Sequence, residues 1–158
     1  MPFPVRALPS PSAFFRCGLR LLLCLPLFAR AELGGTAASI ETDRAQLKAV
    51  VRAQPATGYT VHELQDAGGL TVREYLSASG RVFAVGWNGP RIPNLQQLLG
   101  SYFTTFQSAA RLRQGRRGPL HVERPDLVVT SSGHQRAFAG LAYVPALVPA
   151  GVSPQSLR

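Results

Sequence analysis

The sequence predicts an α+β fold: a mostly antiparallel sheet made of a three-strand meander and a later two-strand hairpin, with one long helix packed on one face. Three observations carry this expectation. Three short runs rich in β-branched and aromatic residues follow one another between residues 59 and 87, each closed by a turn containing glycine. An apolar stripe at helical spacing then runs from Leu95 to Phe106. Two further strand-like runs lie between residues 120 and 145.

The elements follow in chain order. Residues 32–39 (ELGGTAAS) read as a flexible start. IETDRAQLKAVV (40–51) predicts a helix with Ile40, Leu47, Val50 and Val51 on one face, capped by Ser39 and stopped at Gln54-Pro55. YTVHELQ (59–65), LTVREYLS (70–77) and RVFAVGW (81–87) are the meander, joined by gaps of three to four residues that favour hairpins. Strand alternation puts Val82, Ala84 and Gly86 on one face and Phe83, Val85 and Trp87 on the other, toward the helix. Gly86 stands inside a strand, where glycine usually marks a bulge or the close approach of another backbone.

The long helix begins at Asn94, a capping residue with Gln97 three positions on. Leu95, Leu98, Leu99, Tyr102, Phe103 and Phe106 form its stripe. Gly100 costs such a helix about 1 kcal/mol against alanine, and the length of the stripe outweighs it. From Ile92 through Ala110 there is no charged residue, a pattern that suits either a neutral solvated face or one partly covered by another chain. After a basic turn (RQGRRGP, 113–119), two strands are expected about a Gly133-His134 turn, with Pro125 breaking the first or placing it at an edge. The Pro-rich tail, about 145–158, reads as extended or frayed.

The first thirty-one residues have the layout of a cleavable secretory signal peptide. Arg6, Arg16 and Arg20 lead, Leu21 to Phe28 is a short apolar run, and Ala29-Arg30-Ala31 supplies small residues for cleavage after Ala31. A lipoprotein acylated at Cys24 is the weaker reading, because Leu23 stands where a small residue is needed. Cleavage leaves 127 residues, removes Cys17 and Cys24, and lowers the formal net charge from +9 to +5, since four of seventeen basic residues and no acidic ones depart. A chain of this length without thiols depends on an ordinary hydrophobic core. No later stretch is apolar for long enough to span a membrane as a helix.

Few residues advertise chemistry. His62, His121 and His134 match no common zinc spacing, and no metal or cofactor is expected. There is no nucleophile elbow and no phosphate-binding glycine loop. Glu63 and Glu74 lie on consecutive strands and are weighed as a facing carboxylate pair, with Arg73 and Arg81 as ordinary salt-bridge partners. Arg111, Arg113, Arg116 and Arg117 form the one dense charge cluster, suited to an anionic envelope component or to a solvated helix end.

Together, GYTVHEL, TVREYLSASGRVFAVGWNGP, PNLQQLLGSYF, RPDLVVTSSGHQRAFAGLAYVPALVPAGVS and the opening ELGG resemble an uncharacterised family of exported proteobacterial proteins, domain of unknown function 2844. The resemblance covers the chain beyond the leader and implies a bacterial envelope protein; it brings no activity, cofactor or catalytic residue. The expectation is therefore a periplasmic or secreted, non-enzymatic binding or accessory module. Its partner would be another envelope protein or an anionic envelope component, and not nucleic acid. The alternative is a small periplasmic hydrolase using His134 or His62 with a nearby carboxylate such as Glu63.

Overall fold

A computed structural model describes residues 32–112 and 118–157. The β-branched and aromatic runs pair into one antiparallel sheet of seven strands: β1 (Val50–Ala56), β2 (Tyr59–Gln65), β3 (Thr71–Ser77), β4 (Val82–Gly89), β5 (Leu120–Glu123), β6 (Val128–His134) and β7 (Ala137–Tyr143). Their spatial order is β1-β2-β3-β4-β7-β6-β5. The expected architecture, a three-strand meander beside a separate two-strand hairpin under one long helix, is therefore overturned. The sheet dominates: β7 docks on β4 and carries β6 and β5 with it, so every strand belongs to one continuous surface.

Two of the differences arise where helix gives way. Helix α1 (Ala37–Leu47) ends at Lys48, whose φ of 49° reverses the chain. Val50 and Val51 then enter β1 opposite Gln65 and Leu64 instead of prolonging the helix. Branching at Cβ suits the pleated strand better than the helix. Pro55 is tolerated in β1 because the strand lies at the sheet edge, where a missing N–H breaks no outer ladder.

The long helix is also interrupted. It divides into α2 (Leu95–Leu99), a 3-10 turn at Gly100–Tyr102 and α3 (Phe103–Arg111). Gly100 adopts φ 51° and ψ −121°, and a Cβ there would collide with the Glu32 side chain. Tertiary packing thus overrides the helical stripe, although Asn94 caps α2 through Oδ1, which accepts from the Gln97 N–H at 3.3 Å.

Helices and sheet enclose the main core. Leu64, Val72, Val85, Trp87, Val129 and Ala142 on one sheet face meet Ile40 of α1, Leu98 and Leu99 of α2, and Phe106 of α3. Each fully buried Val, Leu or Ile side chain among them contributes about 1.5–3 kcal/mol by leaving water. Leu33 joins them at 1 % exposure, its N–H donating to the Leu98 carbonyl.

The opposite face has a second, smaller core. A bulge between β3 and β4 pairs Tyr75 with Ala84 but Leu76 with Val82, leaving Phe83 as an extra residue. The extra residue breaks the alternation. Val82 faces the helices, while Phe83 turns to the second face with Ala84, contrary to simple period-two counting. There Tyr59, Tyr75 and Phe83 form an aromatic trio with centroid separations of 5.7–6.1 Å. The proline-rich tail lies over it in two 3-10 turns, Pro145–Leu147 and Pro154–Ser156, and buries Leu157.

Candidate functional site

Register assembles the site. One row of paired residues crosses all seven strands on the tail-bearing face: Arg52, Glu63, Arg73, Gly86, Leu141, Thr130 and His121. Its first three members are charged, and Arg73 donates through Nε to Glu63 at 2.8 Å. Its centre is bare, because Gly86 offers no side chain. The tail covers only the half of this face nearest the aromatic trio, so a groove of about 790 Å³ remains open above Gly86. Leu141, Tyr143 and Leu157 give it apolar walls; Asn88, Thr130 and Ser132 give it a polar rim.

Gly86 is not required by crowding. A Cβ at this position would lie 3.7 Å from the Tyr75 ring and hydroxyl and 3.8 Å from the Gly140 carbonyl, which is ordinary contact. Its φ also lies outside the left-handed region. Close approach occurs instead at Gly140, where a Cβ would run into the Trp87 indole, and at Gly133, where it would meet the Phe138 ring. Glycine inside a strand weakens it. At position 86 what the glycine provides is space on the groove floor.

A second cluster of ionisable groups lies beneath the helices. Glu74 projects from β3 between Val72 and Leu76, opposite His62 on β2 and Val85 on β4. Glu74 and Asp43 of α1 are 2 % and 1 % exposed and hydrogen-bonded to each other. Gln97 of α2 donates its Nε2 amide to the Asp43 carboxylate. Burial, and then the hydrogen bond and charge of Asp43, push the Glu74 carboxyl up to about 9. Burial also raises Asp43, opposed by its hydrogen bonds from Glu74 and Gln97. Glu74 is thus the protonated partner and donates to Asp43, tying α1, α2 and β3 together.

The residues expected from the sequence are dispersed. His62 and Glu63 are neighbours on β2 and therefore face opposite sides of the sheet. Burial pushes the half-buried His62 imidazole below its usual value, with the Glu41 charge acting against that. His134 is exposed at the end of β6, four strands from β2 and on the opposite face from His62. Its hairpin turns two residues later than expected, at Gln135-Arg136, with Arg136 at φ 63°. His121 reaches the groove but lies beside Glu123 at 3.3 Å on an exposed edge strand. Arg111 is exposed in the last turn of α3, and Arg113, Arg116 and Arg117 lie outside the described residues. Among the described residues, no group of three or more His, Cys, Asp or Glu is placed to hold a metal ion.

Glu63 and Glu74, weighed as a facing pair, are not one: Glu74 takes Asp43, and Glu63 takes Arg73. The signal for Glu74 was local. A carboxyl at the inward position of Val-x-Glu-x-Leu needs a buried partner. Gly86 carried a similar signal, as a glycine breaking an apolar strand.

These features define a class: a twin-cored, seven-stranded antiparallel sheet with helices on one face and an open groove on the other. Residues 29–157 match the family described as Protein of unknown function (DUF2844), and the chain belongs to that family. Comparison with curated proteins and with solved structures gave no match.

Proposed function

We propose that the protein is an exported, non-enzymatic binding module of the bacterial envelope that takes a small, largely apolar ligand in the groove above Gly86. The observation that carries this reading is the bare position at the centre of the sheet. A side chain would fit there and would fill the second core, yet the position is glycine. Grooves with apolar walls and a few polar groups at the rim are the usual form of a small-molecule site. The arginine, short apolar run and Ala-Arg-Ala sequence of residues 1–31 support export.

Two measurements test the reading. Expression of the full chain in a Gram-negative host should release a periplasmic protein whose first residue is Glu32; an intact Met1 product confined to the cytoplasm would remove the export part. A neutral apolar dye, N-phenyl-1-naphthylamine, should bind the wild-type protein with one-to-one stoichiometry. Gly86→Val should abolish that binding while the folded spectrum is retained. Undiminished dye binding by a folded Gly86→Val protein would exclude the groove.

A further inference from the structure

Beneath the groove floor stands a polar group with nothing to bond. Tyr75 is 2 % exposed, and its hydroxyl has no hydrogen-bond partner. Leaving a buried hydroxyl unpaired costs about 1–3 kcal/mol, and native structures nearly always avoid it. This hydroxyl lies 3.7 Å from the point where a Cβ of residue 86 would stand, so it sits directly under the bare Gly86 position that lines the groove. Arg73 is the cross-strand partner of Gly86 on the same face. It engages Glu63 through Nε, and its guanidinium carries four more N–H donors. Burial raises the Tyr75 phenol, so it keeps its proton and remains a donor. Away from Arg73 the floor becomes apolar through Leu141 and Tyr143, toward Leu157 of the tail. From Gly86 to His121 it extends three strand spacings, about 14 Å.

We propose that the groove binds a long-chain monocarboxylic acid, its carboxylate lying over Gly86 between the Arg73 guanidinium and the Tyr75 hydroxyl, and its hydrocarbon chain running along Leu141 and Tyr143. The proposal rests on the groove reading above and adds the chemistry of the occupant. A carboxylate accepts from several donors at once and would satisfy the Tyr75 hydroxyl. The neighbouring Glu63 charge favours a monoanion over a dianionic phosphate. The occupant is the free acid, since a single chain fits a groove this size and a headgroup with two chains exceeds it.

The test is displacement of N-phenyl-1-naphthylamine by dodecanoate and by dodecanol, below their aggregation concentrations. Dodecanoate should compete at least tenfold better than dodecanol on the wild-type protein. Tyr75→Phe keeps the ring and removes only the hydroxyl; it should weaken dodecanoate about ten- to a hundredfold, the range for a hydrogen bond to a charged group, and leave dodecanol unchanged. Arg73→Gln, in case Tyr75→Phe perturbs the aromatic trio, should weaken dodecanoate similarly. Equal competition by acid and alcohol, or a dodecanoate affinity untouched by both variants, would overturn the carboxylate site while leaving the groove standing. Failure of the dye itself to bind the wild-type protein would remove both readings.

Discussion

Glu74 of β3 donates a hydrogen bond to Asp43 of α1 in a site where both side chains are almost wholly removed from water. The pair holds one proton between two carboxyl groups, because two like charges in this setting cannot both ionise. Gln97 adds α2 to the same acceptor, while Glu74 Oε1 has no partner.

The first prediction follows from that proton. The folded-state value of Glu74, about 9, lies above its usual 4.5. Its contribution is therefore fully present below about pH 4.5 and is lost as pH rises toward about 9, by up to about 1.4 kcal/mol per pH unit. His62, facing Glu74 across the β2–β3 pair with Glu41 nearby, acts in the other sense: its lowered value opposes folding as pH falls below 6.5. Glu74→Gln supplies a permanent donor. It should stabilise the protein by about 1–3 kcal/mol at pH 8 and flatten the decline, as read by urea denaturation at pH 5 to 9. A slope unchanged by the substitution would mean that another group controls it.

Gly100→Ala separates the two accounts of the α2–α3 region by sign. In a continuous helix the change would stabilise by about 1 kcal/mol. With Gly100 at φ 51° and ψ −121° and the Glu32 side chain against it, the change should instead destabilise by about 1–3 kcal/mol. Thermal unfolding followed by circular dichroism gives the sign directly.

Gly140→Ala should be destabilising by about 1–3 kcal/mol, because the added methyl meets the Trp87 ring and lies 2.8 Å from the Thr130 carbonyl. Trp87 is the only tryptophan and is 3 % exposed, so its fluorescence should shift to longer wavelength if the ring is displaced. The contrast is Gly86→Ala, where ordinary contact distances should make the folded protein tolerate the methyl.

Leu157→Ala tests whether the tail is part of the fold. Leu157 is 3 % exposed and belongs to the second core with Tyr75 and Phe83. Its truncation should cost at least about 2 kcal/mol and weaken the near-ultraviolet signal of the tyrosines. An unchanged midpoint would mean that the tail contributes no stability.

Much of the fold was legible locally. β2, β3 and β4 stand where their β-branched and aromatic residues and glycine turns placed them, because such residues suit a pleated, half-buried surface whatever surrounds it. Asn94 caps its helix as its side-chain chemistry requires. β1 was hidden because Pro55 resembles a helix stop, and only an edge position makes it an acceptable strand residue. The candidate sites were less legible. Gly86 stands out as a glycine inside a strand, but Arg73 and Tyr75 are unremarkable in sequence, and the three become a cluster only when β3 and β4 are set in register.

The sequence by itself determined the extended segments β2, β3 and β4, the glycine turns between them and the family to which the chain belongs, since these depend on residue types within a few positions of one another. Tertiary structure alone decided the seven-strand order, the break at Gly100, the side to which Phe83 points and the partner of Glu74. Each of those depends on contacts between residues distant in the chain. Gly100 yields to Glu32, sixty-eight positions earlier, and Glu74 takes Asp43 from another element instead of Glu63 from the next strand. A bulge of one residue reverses a strand's faces, so even a correctly placed β4 could not reveal which side would hold the groove.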